Sequence, residues 1–232
     1  MDKKLLLDWG ANEPQAEKFE KYFELLIDWN EKINLTAITE EKDVMTKHFI
    51  DSLMCFKSGV IEKGANVIDV GTGAGFPGIP LKIADESLDV TLLDSLAKRL
   101  NFLNDVIDNL SLSNIKTVHA RAEDGGRDVN LREKFDVAVS RAVANLSTLS
   151  ELCLPFVKVG GYFVSMKGPG VSEEIENAKG AIKILGGKIE KIIPYDIEST
   201  DLEHNLVVIK KIAPIPQKYP RNAPKPAKSP LK

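Results

Sequence analysis

The chain has 232 residues, of which 43% are hydrophobic and 28% are charged. This composition is that of a folded globular protein, and it excludes the disordered and collagen-like classes. Its charges sum to −3, which argues against a surface built as a whole for phosphate contacts.

The cysteines and the apolar runs indicate the cellular compartment in which the protein is expected. Cys55 and Cys153 are the two cysteines, and they lie far apart without the spacing of metal ligands. This pattern indicates reduced thiols of a cytosolic protein rather than a disulfide. The first residues lack a signal-peptide apolar region, and no apolar run approaches the roughly 20 residues of a membrane helix. We therefore expect a cytoplasmic protein without a membrane segment or a bound metal.

The N-terminal part of the chain is predicted to be helical. Apolar side chains repeat at helical spacing through residues 16–33, and charged residues lie off this stripe. Thr39 has the chemistry of a helix N-cap, and two glutamates follow it where the helix dipole favours anions. A second helix is predicted from there to about Phe56. We therefore expect an N-terminal helical extension over residues 1–63.

From residue 66 the pattern changes to short apolar runs separated by helical stretches. Each run is too short for a buried helix, and the intervening segments suit the crossover helices of a parallel sheet. The clearest crossover helix spans residues 96–110. The seven runs are Val67–Val70, Val90–Leu93, Ile115–Val118, Phe135–Val139, Tyr162–Met166, Ile189–Ile193 and Leu206–Ile212. They predict an α/β domain over residues 64–213.

Residues 214–232 form a basic, proline-rich tail. The tail holds six of the twelve prolines and five cations without an acid, so that residues 1–213 carry the remaining −8. This composition predicts an extended segment outside the core. The tail either contacts nucleic-acid phosphates or is only a solvated end. Because the rest of the chain is acidic, any nucleic-acid site is expected to be local.

A glycine-rich turn follows the first predicted strand, and residues 69–78 read DVGTGAGFPG. Four glycines between a strand and a helix imply a sharp turn and a close approach by a ligand. Residues 73–78 match the dinucleotide pattern G-x-G-x-x-G, although their register relative to the strand is awkward for it. The pattern acid-x-G-x-G-x-G fits better and is the first motif of class I S-adenosylmethionine-dependent methyltransferases. Its residues, which are candidates for cofactor binding, are Asp69, Gly71, Gly73 and Gly75.

Two physical arguments favour S-adenosylmethionine over a dinucleotide. A pyrophosphate needs open amide groups at the helix N-terminus, and Pro77 has no amide hydrogen to offer. A carboxylate near the turn, such as Asp69, suits a cationic cofactor. We therefore expect S-adenosyl-L-methionine as the cofactor, with an NAD-dependent oxidoreductase as the alternative from another class of enzyme.

Three later strand ends carry further candidates. Asp94 ends the second strand, 19 residues beyond Gly75, where an acid hydrogen-bonds the ribose of either cofactor, a role compatible with capping the next helix. The loop after the third strand holds adenine in methyltransferases, which makes Ala122 and Glu123 candidates. Arg141 ends the fourth strand, where open α/β sheets bind ligands. Its alternative role is a structural ion pair.

The residues also limit which atom of a base is the candidate methyl acceptor. Methylation of an exocyclic base amine typically uses an Asn/Asp-Pro-Pro-aromatic loop after the fourth strand, whereas residues 140–143 read SRAV. Carbon methylation of pyrimidines needs a cysteine nucleophile near that strand end, and Cys153 is better explained as a core residue. A free lone pair such as that of guanine N7 needs no general base, and catalysis is then mostly in-line orientation. The residues permit N7 methylation without establishing it, and Arg141 is the single candidate for a catalytic role.

Taken together, these segments resemble the bacterial family of small-subunit (16S) ribosomal RNA guanine-N7 methyltransferases, called methyltransferase G or glucose-inhibited division protein B. The similarity covers nearly the whole chain. FPG within the glycine turn is much more specific than the turn itself. The matching segments include NLTAI (34–38), HFIDSL (48–53), FPG (76–78), RAE (121–123), SRA (140–142) and KYPR (218–221).

The resemblance implies a class I methyltransferase fold, which is Rossmann-like with a mostly parallel seven-stranded sheet, here with an N-terminal helical extension. It implies that the substrate is a guanine in small-subunit ribosomal RNA, presented in the assembled subunit or a late precursor. The expected S-adenosylmethionine contacts are Gly71, Phe76, Ala122, Glu123 and Arg141. The expected RNA contacts are Lys167, Lys218 and Arg221.

Two further hypotheses stay open beside this one. The first is a class I methyltransferase that acts on another RNA or on a small molecule. The second is an RNA-binding protein without turnover, which is disfavoured because the glycine turn, the ribose acid and the adenine loop are all in place.

Overall fold

A computed structural model describes residues 3–141, 144–197 and 203–232. The strands are β1 (Asn66–Val70), β2 (Asp89–Asp94), β3 (Ile115–His119), β4 (Phe135–Arg141), β5 (Val157–Lys167), β6 (Gly187–Asp196) and β7 (Glu203–Lys211). The α-helices are α1 (Lys3–Asp8), α2 (Glu13–Ile33), α3 (Glu41–Val44), α4 (Asp51–Leu53), α5 (Gly78–Ala84), α6 (Ala97–Asn109), α7 (Ala122–Gly125), α8 (Leu146–Cys153), α9 (Val171–Ile184) and α10 (Lys225–Lys228). A π-helical segment, Met45–Ile50, joins α3 to α4, and a 3-10 segment, Met54–Ser58, follows α4.

The strands form one seven-stranded sheet in the order β3-β2-β1-β4-β5-β7-β6. Strands β1 to β5 are parallel, and β7 pairs antiparallel with both β5 and β6. The strand order reverses between β1 and β4, and ligands bind beside the carboxyl ends of the strands at such a switch point. The predicted mostly parallel sheet is confirmed. Six of the predicted runs lie wholly within a strand, and the seventh extends one residue beyond β7.

The N-terminal helices share a core with the sheet. Helix α2 begins at Glu13, where the Asn12 side chain accepts from the Gln15 backbone amide and Gln15 bonds back to the Asn12 amide. Its buried face contributes Tyr22, whose ring centroid lies 5.3 Å from that of Phe49. The predicted apolar stripe of this helix is therefore confirmed as a core-packing face.

The second predicted helix is present but differs in its start and in its type. Glu40 has the extended backbone of an N-cap residue, and α3 begins at Glu41, so the prediction of Thr39 as the N-cap is wrong. The helical residues then pass from α-helix through the π-helical segment to the 3-10 segment. The π-helical segment carries His48, which becomes important at the candidate site.

The basic tail is folded onto the body, so the prediction of an extended segment outside the core is wrong. Ile215 and Tyr219 are buried against the face of the sheet that α8 and α9 cover. Arg132 donates to backbone carbonyls of both of these tail residues. The prediction failed because buried polar partners on the body, which lie far away in sequence, outweigh the local preference of a proline-rich segment.

Within the described ranges, no helix is long and apolar enough to cross a membrane. Cys55 and Cys153 are both buried free thiols. Burial raises the pKa of the Cys153 thiol far above its ordinary value, which disfavours the thiolate that a nucleophilic cysteine needs.

Candidate functional site

A cavity of about 680 Å³ opens at the carboxyl ends of β1, β2 and β4. Seven of the nine predicted cofactor residues line it. They are Gly71, Gly73, Phe76, Asp94, Ala122, Glu123 and Arg141. These residues come from four separate segments, which the parallel strands bring to one edge of the sheet.

The glycine turn forms one wall of this cavity. The amides of Gly71 and Thr72 both donate to the Leu93 carbonyl, at 2.9 and 3.1 Å, so the turn is tied to the end of β2. Gly73 has a φ of +62°, and a Cβ at this position would meet only one atom within about 4 Å, the Gly71 carbonyl oxygen. The open space beside the Gly73 backbone is what a closely approaching ligand requires.

Asp69 lies behind the turn and does not line the cavity. Its Oδ2 accepts hydrogen bonds from Thr72 Oγ1 at 2.7 Å and from the Gly78 amide at 2.8 Å. Its Oδ1 is buried and has no hydrogen-bond partner among the described residues. Burial raises the pKa of Asp69 to about 6, even though both hydrogen bonds act to lower it. The structure therefore places Asp69 as the residue that holds the turn in shape.

Gly75 also faces away from the cavity. Its φ is +96°, and a Cβ there would lie 2.6 Å from Tyr22 Oη and 2.7 Å from Ile79 Cδ1. The Tyr22 hydroxyl donates a hydrogen bond to the Ala74 carbonyl. Gly75 is thus the point at which helix α2 packs directly against the turn.

Asp94 is oriented by three donors on the cavity wall. Its Oδ2 accepts from the Gly73 amide at 3.0 Å and from Arg99 at 3.2 Å, and its Oδ1 accepts from the Leu96 amide at 2.9 Å. The side chain is only 4% exposed. Leu96 is the N-cap of α6, so the prediction of Asp94 as the N-cap is wrong. Asp94 instead accepts from the amide of that N-cap residue and presents a fixed carboxylate to the cavity.

Arg141 joins the cavity to the N-terminal region. Its Nη1 donates to Asp51 Oδ2 at 2.9 Å and to the Lys47 carbonyl at 2.9 Å, and its guanidinium carbon lies 5.1 Å from the Phe76 ring centroid. Arg141 therefore forms a structural ion pair with Asp51 and also lies on the cavity wall. The two roles are compatible, since the ion pair fixes where the guanidinium stands.

Asp51 is the centre of a buried polar network. Besides Arg141, it receives hydrogen bonds from Tyr195 Oη at 2.8 Å and from His204 Nδ1 at 2.9 Å. Burial acts to raise the pKa of Asp51, but the His204 and Arg141 interactions outweigh it and hold the pKa below its ordinary value. Asp51 is therefore an anion at neutral pH, with its oxygens already occupied.

His48 is a cavity residue to which the sequence alone assigned no role. Its ring stacks on Phe76, its Nδ1 lies 3.1 Å from Arg141 Nη2, and its Nε2 lies 2.9 Å from Thr36 Oγ1. Nδ1 also lies 3.1 Å from the Lys47 carbonyl oxygen, so this nitrogen has a donor on one side and an acceptor on the other. Burial, together with the Arg141 charge, lowers the pKa of His48 to about 4. The signal in the sequence was the matching segment HFIDSL, which carries both His48 and Asp51.

A second cavity, of about 650 Å³, adjoins the first and shares His48 and Arg141 with it. Lys167, predicted as an RNA contact, lines this second cavity, where its Nζ donates to Glu174 Oε1 at 2.6 Å and to the Ala144 carbonyl at 2.6 Å. The pair of cavities is therefore divided by one imidazole and one guanidinium.

The other two predicted RNA contacts meet at a third cavity, which lies in the tail. Arg127, Lys218, Arg221 and Lys225 line this space of about 360 Å³, to which no acidic residue contributes among those described. Arg221 is engaged internally, because its guanidinium donates to Oε1 and to Oε2 of the fully buried Glu151. Among the described residues, no group of three or more His, Cys, Asp or Glu is arranged to hold a metal ion.

Solved structures share this fold at low sequence identity. TYW2 from M. jannaschii, solved in complex with AdoMet, is 18% identical with a TM-score of 0.57, and the match covers 76% of this chain and 80% of that one. Precorrin-6y C5,15-methyltransferase from Geobacter metallireducens is 14% identical with a TM-score of 0.51, covering 69% and 87%. These neighbours establish the class I methyltransferase fold.

Relatives found by sequence have higher identity to this chain and cover more of it than these solved structures do. Ribosomal RNA small subunit methyltransferase G from Clostridium beijerinckii is 57% identical over 218 residues, covering 94% of this chain and 91% of the relative. Its counterpart from Clostridium perfringens is 55% identical over 221 residues, covering 95% and 92%. The GidB family model, described as rRNA small subunit methyltransferase G, matches residues 15–207, a span that includes the glycine turn, the His48–Arg141 contact and both adjoining cavities. This chain therefore belongs to the GidB family of ribosomal RNA small subunit methyltransferases.

Proposed function

We propose that this protein transfers the methyl group of S-adenosylmethionine to N7 of a guanine in small-subunit (16S) ribosomal RNA, in the cytoplasm, by direct in-line transfer without an obligatory general base. The observation that carries this proposal is the pair of adjoining cavities that meet at His48 and Arg141. One cavity has the features of a nucleoside cofactor site, and the other is large enough for a base.

The first cavity fits S-adenosylmethionine better than a dinucleotide. Asp94 presents a fixed carboxylate for ribose hydroxyls, and Gly73 leaves open space beside its backbone. The amide of Gly78, at the start of helix α5, already donates to Asp69. A pyrophosphate needs such amides free, so this contact argues against the oxidoreductase alternative. Gly71, Phe76, Ala122 and Glu123 would complete the contacts with the cofactor.

When bound, S-adenosylmethionine supplies a methyl group on a positively charged sulfur. The residues around the junction of the two cavities then have to orient the acceptor and exclude water. Arg141 and His48 are well placed for orientation, because hydrogen bonds to Asp51 and Thr36 fix the direction of each side chain. Phe76, buried between them, closes the junction against solvent.

The ionisable groups at the junction favour an acceptor that needs no deprotonation. Asp51 is fully engaged, and the pKa of His48, lowered to about 4, makes its imidazole a weak base. Guanine N7 has a lone pair that is free in the neutral base, so it would accept the methyl group as the methyl–sulfur bond breaks, with no proton to remove. This chemistry supports N7 over an exocyclic amine or a carbon acceptor.

The RNA contacts of the proposal lie in the second and third cavities. Lys167 would face the target nucleotide, and Lys218 would contact phosphate together with Arg127 and Lys225. Arg221 contributes mainly by holding the tail, because its guanidinium is bound to Glu151. These assignments keep the basic residues on a local surface of an otherwise acidic protein.

The test is transfer of labelled methyl from S-adenosylmethionine to purified small subunits and to naked ribosomal RNA, both from a strain that lacks this protein. We expect the label to appear as 7-methylguanine in small-subunit RNA. Label in another base or in a small molecule would overturn the proposed acceptor. A rise in melting temperature with NAD but not with S-adenosylmethionine would overturn the proposed cofactor.

A further inference from the structure

The second cavity is lined by Glu174, a side chain to which the proposed methyl transfer assigns no role. His48 and Arg141 lie on its border with the first cavity, while Lys167 and Glu174 supply a cation and an anion elsewhere on its wall. Met166 and Ile38 add apolar surface. A base in this space would therefore meet apolar side chains together with a paired donor and acceptor.

The Lys167–Glu174 pair leaves hydrogen-bonding capacity free. Both bonds that Glu174 accepts, from the Leu146 amide at 2.5 Å and from Lys167 Nζ at 2.6 Å, go to Oε1. Its Oε2 has no hydrogen bond to any residue that the structure describes. Lys167 uses two of its three N–H groups, on Ala144 and on Glu174. These contacts fix the orientation of the Glu174 side chain, which lies in the first turn of helix α9.

We propose that Glu174 recognises the target guanine, its Oε2 accepting hydrogen bonds from N1–H and from the exocyclic N2 amino group while Lys167 donates to O6. This inference rests on the proposed function, because it assigns the base that the second cavity takes. Guanine presents two adjacent donors next to one acceptor on this edge, which matches a carboxylate beside an ammonium group. Adenine presents the opposite order, an amino donor at C6 and an acceptor at N1, so the same pair rejects adenine.

The orientation also agrees with the reacting atom. N7 lies on the edge of guanine remote from N1 and N2, so a base bound at Glu174 directs N7 away from it. The proposal requires that N7 then meets the border formed by His48 and Arg141, which line the same cavity. Methylation at N7 puts a positive charge on the purine, which makes N1–H a stronger donor. The bond to Glu174 therefore strengthens in the transition state, and interactions of that kind raise the rate of the chemical step.

The experiment removes one donor from the base and one acceptor from the protein. Small subunits are reconstituted with ribosomal RNA that carries guanosine or inosine, which lacks the N2 amino group, at the methylated position. For the unmodified protein we expect kcat/KM to be about 10- to 100-fold lower with inosine, the range for loss of a hydrogen bond to a charged group. In Glu174→Gln the amide oxygen keeps the Leu146 and Lys167 contacts, but an NH2 group stands where Oε2 stood. We expect guanosine activity to fall by about 10- to 100-fold and the guanosine-to-inosine ratio to approach one.

The matched control is Glu173→Gln, the same change at the preceding residue, which is exposed and does not line the cavity. We expect it to retain both the activity and the ratio of the unmodified protein. Calorimetric affinity for S-adenosylmethionine should stay within twofold in both variants, which shows that the folded cofactor site is intact. An unchanged guanosine-to-inosine ratio in Glu174→Gln would overturn the assignment of Glu174 alone. Failure of the unmodified protein to methylate guanosine subunits would instead overturn the proposed function.

Discussion

The His48 ring lies on the Phe76 ring, with centroids 4.6 Å apart and 23° between the planes. This stack joins the π-helical segment of the N-terminal region to the glycine turn of the α/β domain. Because Phe76 also carries the Arg141 guanidinium on its ring, three segments of the chain converge at one point. The N-terminal helices are thus part of the candidate site as well as part of the core.

The half-buried imidazole of His48, with its lowered pKa, predicts a pH dependence of stability. Its pKa is lowered to about 4 in the folded state, whereas an unfolded histidine titrates near 6.5. Between these values the unfolded chain binds more protons, so stability is lost as the pH falls from about 6.5 to 4. We expect the unfolding free energy in urea to drop by about 1–2 kcal/mol more between pH 7 and pH 5 in the unmodified protein than in His48→Gln.

The comparison between the unmodified protein and His48→Gln separates the contribution of His48 to the pH dependence of stability from that of Asp69. The pKa of Asp69 is raised to about 6, so its contribution has the opposite sign: stability rises as the pH falls through that value. It is the same in both proteins and cancels. His119→Gln, at an exposed histidine, is the matched control and should keep the pH dependence of the unmodified protein. Equal pH dependence in the unmodified protein and in His48→Gln would contradict the prediction.

The two glycines of the turn should separate binding from stability. In Gly75→Ala the new Cβ would crowd Tyr22 and Ile79, and we expect a loss of about 2–4 kcal/mol of unfolding free energy from crowding and backbone strain. In Gly73→Ala the Cβ would enter the open space on the cavity side. There we expect a stability loss of only about 1–2 kcal/mol from strain, but at least a tenfold weaker calorimetric affinity for S-adenosylmethionine. The reverse pattern would show that the two glycines have been assigned to the wrong sides of the turn.

The Arg221–Glu151 contact should hold the tail on the body. Glu151 is fully buried, and its carboxylate accepts from both the side chain and the backbone amide of Arg221. Arg221→Met leaves this charge without its ion-pair partner, which costs about 3 kcal/mol. Urea unfolding measures the cost, and faster proteolysis of residues 214–232 reports release of the tail. Lys228→Met, at an exposed tail residue, should change neither, and an equal loss in both variants would contradict the prediction.

The basic cavity of the tail predicts a salt-dependent contact with RNA. Lys218→Gln combined with Lys225→Gln removes two charges from its lining without breaking the Arg221–Glu151 pair. We expect weaker binding to small subunits and a salt slope flatter by about 1–2, because fewer counterions are released. Affinity for S-adenosylmethionine should not change. The control is Lys188→Gln with Lys191→Gln, the same charge change at exposed residues of β6. Identical salt slopes for the two double variants would show that the basic cavity of the tail does not contact RNA.

Much of the fold could be predicted because it depends on local patterns. Strands β1 and β2 appear as short apolar runs, and helix α6 appears as an apolar repeat between two strands. Parallel strands place their carboxyl ends on one edge, so the sequence alone predicts that Gly71, Asp94 and Arg141 lie near one another. These inferences need only the periodicity of the chain and the geometry common to α/β sheets.

The tertiary structure decided how the individual side chains are used. Asp69 and Gly75 belong to the predicted motif, yet one holds the turn from behind and the other packs on Tyr22. The bonds of Arg141 to Asp51 and of Arg221 to Glu151 join residues 90 and 70 positions apart. No local pattern encodes such pairs, because their free energy depends on burial and on the distance between atoms that only the folded chain brings together. The sequence by itself therefore determined the class of fold and the edge of the sheet that carries the site, and the packing of the N-terminal helices and the tail decided which residues form it.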